Sequence, residues 1–140
     1  MVPGGRDRIK SLESDCIMAD SGNTGLTRII RAAGYSWQGI KAAFQHEAAF
    51  RQELALALVL LPVAVWLADN ALQLGLLISS VLLVLIVEIL NSAIEAAIDR
   101  HGKERHPLSA RAKDMGSAAV LFALINLLVI WAAVVWENMF

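Results

Sequence analysis

The chain has 140 residues, a formal net charge of −1, 57% hydrophobic and 18% charged residues, and a mean hydropathy of +0.58. That is too short for two ordinary domains and too apolar for one soluble domain of this length. Bulk electrostatics name no partner, and the single cysteine, Cys16, excludes an internal disulfide and makes no metal cluster with the three scattered histidines.

Residues 1–22 mix charge, Gly and Ser without apolar period and predict a disordered tail. The first 50 residues lack the apolar core of a cleavable signal peptide. Residues 23–140 read as a single membrane-embedded domain. Over about 26–44, Leu26, Ile29, Ile30, Ala33, Trp37, Ile40 and Phe44 recur at helical spacing, with Arg28, Arg31, Gln38 and Lys41 on other faces. Basic residues opposite Ile, Trp and Phe predict an amphipathic helix lying in the membrane interface. Gly34 and Gly39 predict a kink or break in it. The alternative, a soluble helix on a core, has nothing soluble to pack against.

His46–Glu53 (HEAAFRQE) leads into a first span, about 48–68. There Arg51 and Glu53 snorkel or pair near the surface, and Pro62 predicts a tolerated kink. Asp69 and Asn70 make a turn without positive charge before a second span, about 71–98. Charges return in Asp99–Asp114 (DRHGKERHPLSARAKD), read as a loop with Gly102 and Pro107 as breakers. A third span, about 115–136, opens on the small residues Gly116, Ser117, Ala118 and Ala119, which suit close helix approach. Trp37, Trp66 and Trp136 read as interfacial anchors. All 12 Lys and Arg lie before Leu54 or between Arg100 and Lys113. The positive-inside rule therefore places the N-terminus and the second loop in the cytoplasm, and the Asp69 turn and C-terminus outside. The expected fold is an all-α membrane protein of three transmembrane helices plus an N-terminal interfacial amphipathic helix.

The chemistry concentrates in Leu76–Arg100, LLISSVLLVLIVEILNSAIEAAIDR. Asn91, Ser92, Glu95 and Asp99 lie three, four, seven and eleven residues after Glu88, which puts all five on one helical face. Glu88 and Glu95 are two turns apart, roughly 10 Å at about 1.5 Å per residue. Ionisable groups in a span are costly and mark functional sites, structural glue between helices being the plainer reading. Glu47 and Glu95 are an available carboxylate pair for a hard cation such as Mg²⁺, which shares its shell with substrate phosphates. Lys113, Arg105, Lys103 and Arg28 could neutralise a polyphosphate. Neither a Walker-type loop nor a soluble protein-kinase signature is present. On the residues alone, a kinase ranks beside a proton or ion conduit using intramembrane carboxylates.

Gly25–Trp37 (GLTRIIRAAGYSW), His46–Glu53, the organising stretch and Leu108–Val120 (LSARAKDMGSAAV) together resemble the bacterial integral-membrane diacylglycerol kinases, from about Asn23 to Trp136. The run EILNSAIEAAID followed by RAKDMGSAAV is specific to that family. The resemblance implies a homotrimer in the bacterial inner membrane, with sites shared between subunits, that transfers the γ-phosphoryl group of MgATP to diacylglycerol. It implies Glu88 as catalytic base with Asn91 beside it, and Glu47 and Glu95 as metal-binding carboxylates. Arg28, Tyr35, Glu47, Glu95, Glu104, Arg105, His106, Lys113 and Asp114 match nucleotide positions. Arg28, Ala32, Ala33, Gly34, Tyr35, Ser36, Trp37, Ala49, Phe50, Arg51, Gln52, Glu53, Trp66, Leu67, Ala68, Asp69, Glu88 and Ser117 match positions around the lipid. Phe44 and His46 depart from the family wording, which carries Trp and Asn there. An undecaprenol-type polyisoprenol kinase of the same architecture is the nearest alternative.

Overall fold

The computed structural model describes residues 25–100 and 106–140. The expected tail, and with it Lys103, Glu104 and Arg105, lies outside the described residues. Four helices are present among those described: α1 (Leu26–His46), α2 (Ala48–Leu67), α3 (Ala71–Asp99) and α4 (Pro107–Met139). The chain divides after Gly39 into two compact units.

In the first unit α1 starts behind Gly25, whose φ of 65° is the left-handed region glycine favours. Every residue from Leu26 to Gly39 is exposed, including Ile29, Ile30 and Trp37. The helix runs unbroken through Gly34 and Gly39, so the expected break is absent. Glycine disfavours a helix interior by about 1 kcal/mol relative to alanine, too little to interrupt a helix of 21 residues.

In the second unit the last turns of α1 end at His46, two residues beyond the expected limit. Arg51 Nη1 donates to the carbonyl oxygens of Phe44 at 3.0 Å and Gln45 at 3.4 Å. Those carbonyls have no partner further along a terminating helix, so the guanidinium serves as their cap. Arg51 is thereby turned toward α1, and the pairing with Glu53 allowed for in the sequence does not form.

Helices α2, α3 and α4 are each long and apolar enough to cross a membrane. At 20 residues, α2 rises about 30 Å, the thickness of a hydrocarbon core. Leu58, Trp66, Leu72, Phe122 and Leu128 remain exposed on these three helices. Leaving that much apolar surface uncovered suits lipid or a neighbouring subunit and would be unfavourable in water. Between α2 and α3, Asn70 Oδ1 accepts from the backbone N–H of Gln73 at 3.0 Å, a side-chain N-cap that starts α3.

The third membrane helix begins at Pro107, eight residues before the expected start at Met115. Pro107 occupies the first helical turn, where its missing N–H costs nothing, and His106 Nδ1 accepts from Leu108 N at 3.2 Å as the cap. Charge in SARAKD marks the solvated start of a helix, so residues 107–114, read as loop in the sequence, are helical.

Helix α3 is central and packs against both α2 and α4. Its buried residues, Gln73, Leu77, Ser80, Val81, Val84, Glu88 and Ser92, form one stripe of a 3.6-residue helix, with three- or four-residue steps except at the adjacent Ser80 and Val81. Ala57 and Ala64 of α2 and Ala123 of α4 face that stripe. Small residues there let the helices approach closely, which in lipid replaces the hydrophobic drive of water. Mid-helix, Trp131 Nε1 donates to Ser80 Oγ at 3.2 Å and so ties α4 to α3.

Candidate functional site

The stripe changes character toward the Asp99 end of α3. Val81 and Val84 give way to Glu88 and Ser92, still buried at 4% and 8% exposure. These values belong to a single chain, so its own helices cover Glu88. Helices α2 and α4 both pack against α3. Asn91, between them, and Glu95, about one turn beyond Ser92, are half-buried, and Asp99 is exposed. The five polar residues therefore lie along one face, graded from buried to open.

Other elements bring more carboxylates to this face. Glu47 is the N-cap of α2, in extended backbone with φ −106° and ψ 117°, and its side chain makes no capping hydrogen bond. Ser, Thr, Asp or Asn would cap better, so a glutamate here leaves its carboxylate for other use. Glu88 interacts electrostatically with Glu95 and Glu47, and Glu53 interacts with Glu88. The structure thus adds Glu53 to the acidic set, although the sequence placed it only beside the lipid. Its signal was an ionisable group inside a span, hidden by the proximity of Arg51.

Asn91 Nδ2 donates to Glu95 Oε1 at 3.2 Å, a one-turn contact that orients the carboxylate. Three buried side-chain atoms among the described residues lack a hydrogen-bond partner: Glu53 Oε2, Asn91 Oδ1 and Ser92 Oγ. Buried polar atoms are nearly always paired, and an unpaired one requires explanation. All three belong to residues of this acidic end. They are oxygens, as are the donors of Glu47, Glu88 and Glu95, the ligand type a hard divalent cation takes. No group of three or more His, Cys, Asp or Glu residues suited to a metal forms among the described residues. What fits Mg²⁺ here is the donor type, since that ion takes one or two carboxylates and completes its shell with water and phosphate.

At the open end Lys113 Nζ meets Asp99 Oδ1 at 2.6 Å, joining the last turn of α3 to the early turns of α4. Asp99 pairs with Lys113 and not with the adjacent Arg100. Asp114 and Ser117 are exposed, whereas Gly116 between them is buried. His106 is exposed, its Nδ1 occupied as the α4 cap.

The remaining expected positions fall in both units. Arg28, Ala32, Ala33, Gly34, Tyr35, Ser36 and Trp37 are exposed in the first unit, where Ser36 Oγ donates to Ala32 O at 3.1 Å. Ala49, Arg51 and Gln52 are exposed, while Phe50 is buried at 3% and is part of the interior. Trp66, Leu67, Ala68 and Asp69 are at the far end of α2, about 20 Å along its axis from Glu53 at 1.5 Å per residue.

A helical membrane protein with a buried row of carboxylate, amide and hydroxyl oxygens opening at one end of its bundle is the class these features define. The family model for prokaryotic diacylglycerol kinase matches residues 34–135. The diacylglycerol kinase of Escherichia coli K12 is 59% identical over 115 residues, 82% of this chain and 94% of the relative. Those of Pseudomonas aeruginosa PAO1 and Haemophilus influenzae Rd are 56% and 49% identical over 113 residues, 81% of this chain and 92% and 96% of the relatives. The chain belongs to the prokaryotic diacylglycerol kinase family.

Proposed function

We propose that the chain is a diacylglycerol kinase, transferring the γ-phosphoryl group of MgATP to diacylglycerol to give phosphatidic acid at the cytoplasmic face of the bacterial inner membrane. The carrying observation is the set of buried, unpartnered oxygens of Glu53, Asn91 and Ser92 beside Glu88 and Glu95, in a chain 59% identical to a protein of that name.

Phosphoryl transfer asks for in-line placement and charge neutralisation more than for covalent help. A lipid acceptor arrives from the bilayer and ATP from water, so the reacting atoms meet where α3 passes from buried to open. Glu88 takes the proton of the lipid hydroxyl as that oxygen bonds to the γ-phosphorus. The bond to the β–γ bridging oxygen breaks, and ADP leaves with its electron pair. Glu47 and Glu95 would hold Mg²⁺, with Asn91 orienting Glu95, and the bound ion would supply neutralisation of phosphate charge. Lys113 exchanges Asp99 for phosphate, and Arg28, Tyr35, Glu104, Arg105, His106 and Asp114 complete the nucleotide site. Residues 32–37, 49, 51–53 and 66–69, with Ser117, border the lipid. Three subunits assemble with shared sites, N-termini in the cytoplasm and C-termini outside. The exposed apolar residues of all three spans offer surface for that assembly.

Purified protein in mixed micelles with labelled ATP, magnesium, dioleoylglycerol and undecaprenol tests the reading. Labelled phosphatidic acid is expected. Labelled undecaprenyl phosphate in its place, or charge flux through sealed vesicles without ATP, overturns it.

A further inference from the structure

Glycine in a helix interior is unfavourable relative to alanine, because it gives up more backbone freedom and contributes no side chain. Gly116 lies well inside the 33-residue α4 and is buried. A Cβ built on Gly34, Gly39 or Gly75 meets nothing within 4 Å, so those positions have room for a side chain. At Gly116 a Cβ would overlap Asn91 Oδ1, sit 3.3 Å from Asn91 Cγ and lie 3.9 Å from Asn91 Cα. Asn91 is the residue whose Nδ2 holds Glu95 Oε1 at 3.2 Å, and its Oδ1 is buried without a hydrogen-bond partner.

The amide is rigid and planar, so its oxygen and nitrogen move together. With Oδ1 lodged against the bare Cα of Gly116, Nδ2 points along α3 at Glu95. Any group at position 116 must rotate the amide, and the same rotation carries Nδ2 off the carboxylate. We propose that Gly116 is a positioning residue for the phosphoryl-transfer site: its missing side chain fixes the Asn91 amide, and through it the orientation of Glu95. This rests on the reading of Glu95 as a metal-binding carboxylate. Partners that orient a ligand from behind typically set metal affinity by 10–100-fold.

The test uses the full chain in mixed micelles, with Mn²⁺ standing in for Mg²⁺. Mn²⁺ affinity in the presence of a non-hydrolysable ATP analogue is read by electron paramagnetic resonance, and turnover is read against magnesium concentration. Gly116→Ala is expected to weaken Mn²⁺ binding about 10-fold and to raise the magnesium needed for half-maximal turnover in parallel. Turnover at saturating magnesium is largely kept. Gly75→Ala, with open space at its Cβ, changes neither quantity. On an Asn91→Ala background, Gly116→Ala is expected to add nothing, because the amide it displaces is gone. Unchanged Mn²⁺ affinity in Gly116→Ala, or an undiminished effect on the Asn91→Ala background, overturns the proposal. Should Gly116→Ala fail to fold, recovery of folding in the Gly116→Ala, Asn91→Ala double variant supports the steric link, and continued failure refutes it. Glu95→Gln separates the two levels. If it leaves Mn²⁺ affinity intact while the 116 and 91 substitutions still couple in thermal stability, the metal reading falls and the packing link stands.

Discussion

Glu88 and Glu95 are alike in chemistry and two turns apart on one helix, yet their surroundings assign them different work. Glu88 is covered on all sides by its own chain, whereas Glu95 is half-buried, held by Asn91 and nearer the open end. Removal of a base and removal of a metal ligand leave different kinetic signatures. Glu88→Gln should leave MgATP affinity nearly intact while turnover falls about 10²–10⁴-fold, the usual contribution of general acid–base help. Glu95→Gln should instead raise the magnesium requirement and weaken nucleotide binding. Equilibrium MgATP binding and turnover measured on both variants decide the matter. Equal loss of MgATP affinity in the two would make Glu88 a ligand and remove it as the base.

Between elements, the bundle is fastened at the end opposite the site. Gln73, buried at 5%, accepts from Asp69 N at 2.8 Å through Oε1 and donates to Asn138 Oδ1 at 2.9 Å through Nε2. Asn138 Nδ2 in turn donates to the Leu67 carbonyl at 2.7 Å. One connected set of bonds thus joins the end of α2, the start of α3 and the end of α4, and satisfies a terminal carbonyl that a membrane would leave bare. Gln73→Ala strands both Asn138 Oδ1 and the Asp69 N–H, so it should destabilise the fold by about 1–3 kcal/mol. Unfolding by graded detergent denaturation is the measurement. Gln73 is about 22 Å from Glu88 along α3 at 1.5 Å per residue, so activity per folded molecule should match the parent. A large activity loss with unchanged stability would show that the clasp communicates with the site. The Lys113–Asp99 pair differs from this clasp, being exposed and open to screening by salt.

For the whole molecule, the proposed topology carries the two ends of the chain to opposite sides of the membrane through three membrane-length helices. The basic residues choose which side faces the cytoplasm. Cysteines introduced at Asp69 and Phe140 should be labelled by an impermeant reagent on intact spheroplasts, and one at Lys103 should not. Labelling of Lys103→Cys from outside would invert the proposed topology. Assembly makes a separate prediction. If a subunit supplies Glu47 to a site whose Glu88 belongs to its neighbour, Glu88→Gln and Glu47→Gln chains, each inactive alone, should regain part of their activity when mixed. Mixed assemblies that stay inactive would confine each site to one subunit.

Much of this molecule was legible along the chain because the relevant geometry is local. Hydropathy and length located the three membrane helices, and three- and four-residue spacing put Glu88, Asn91, Ser92, Glu95 and Asp99 on one face whatever that face meets. Pro107 was misread because proline both breaks helices and begins them, and only the cap at His106 distinguishes the two. The continuity of α1 through two glycines likewise depended on a balance of small energies that no single residue announces. What crosses between helices was decided by packing alone. Closure over Glu88, the meeting of Lys113 with Asp99, the addition of Glu53 to the acidic group and the seat of the Asn91 amide on Gly116 all depend on axial register. That register is set where Ala57, Ala64 and Ala123 let backbones approach, and a shift of one turn, about 5.4 Å, would break every such contact while leaving the spacing within each helix unchanged.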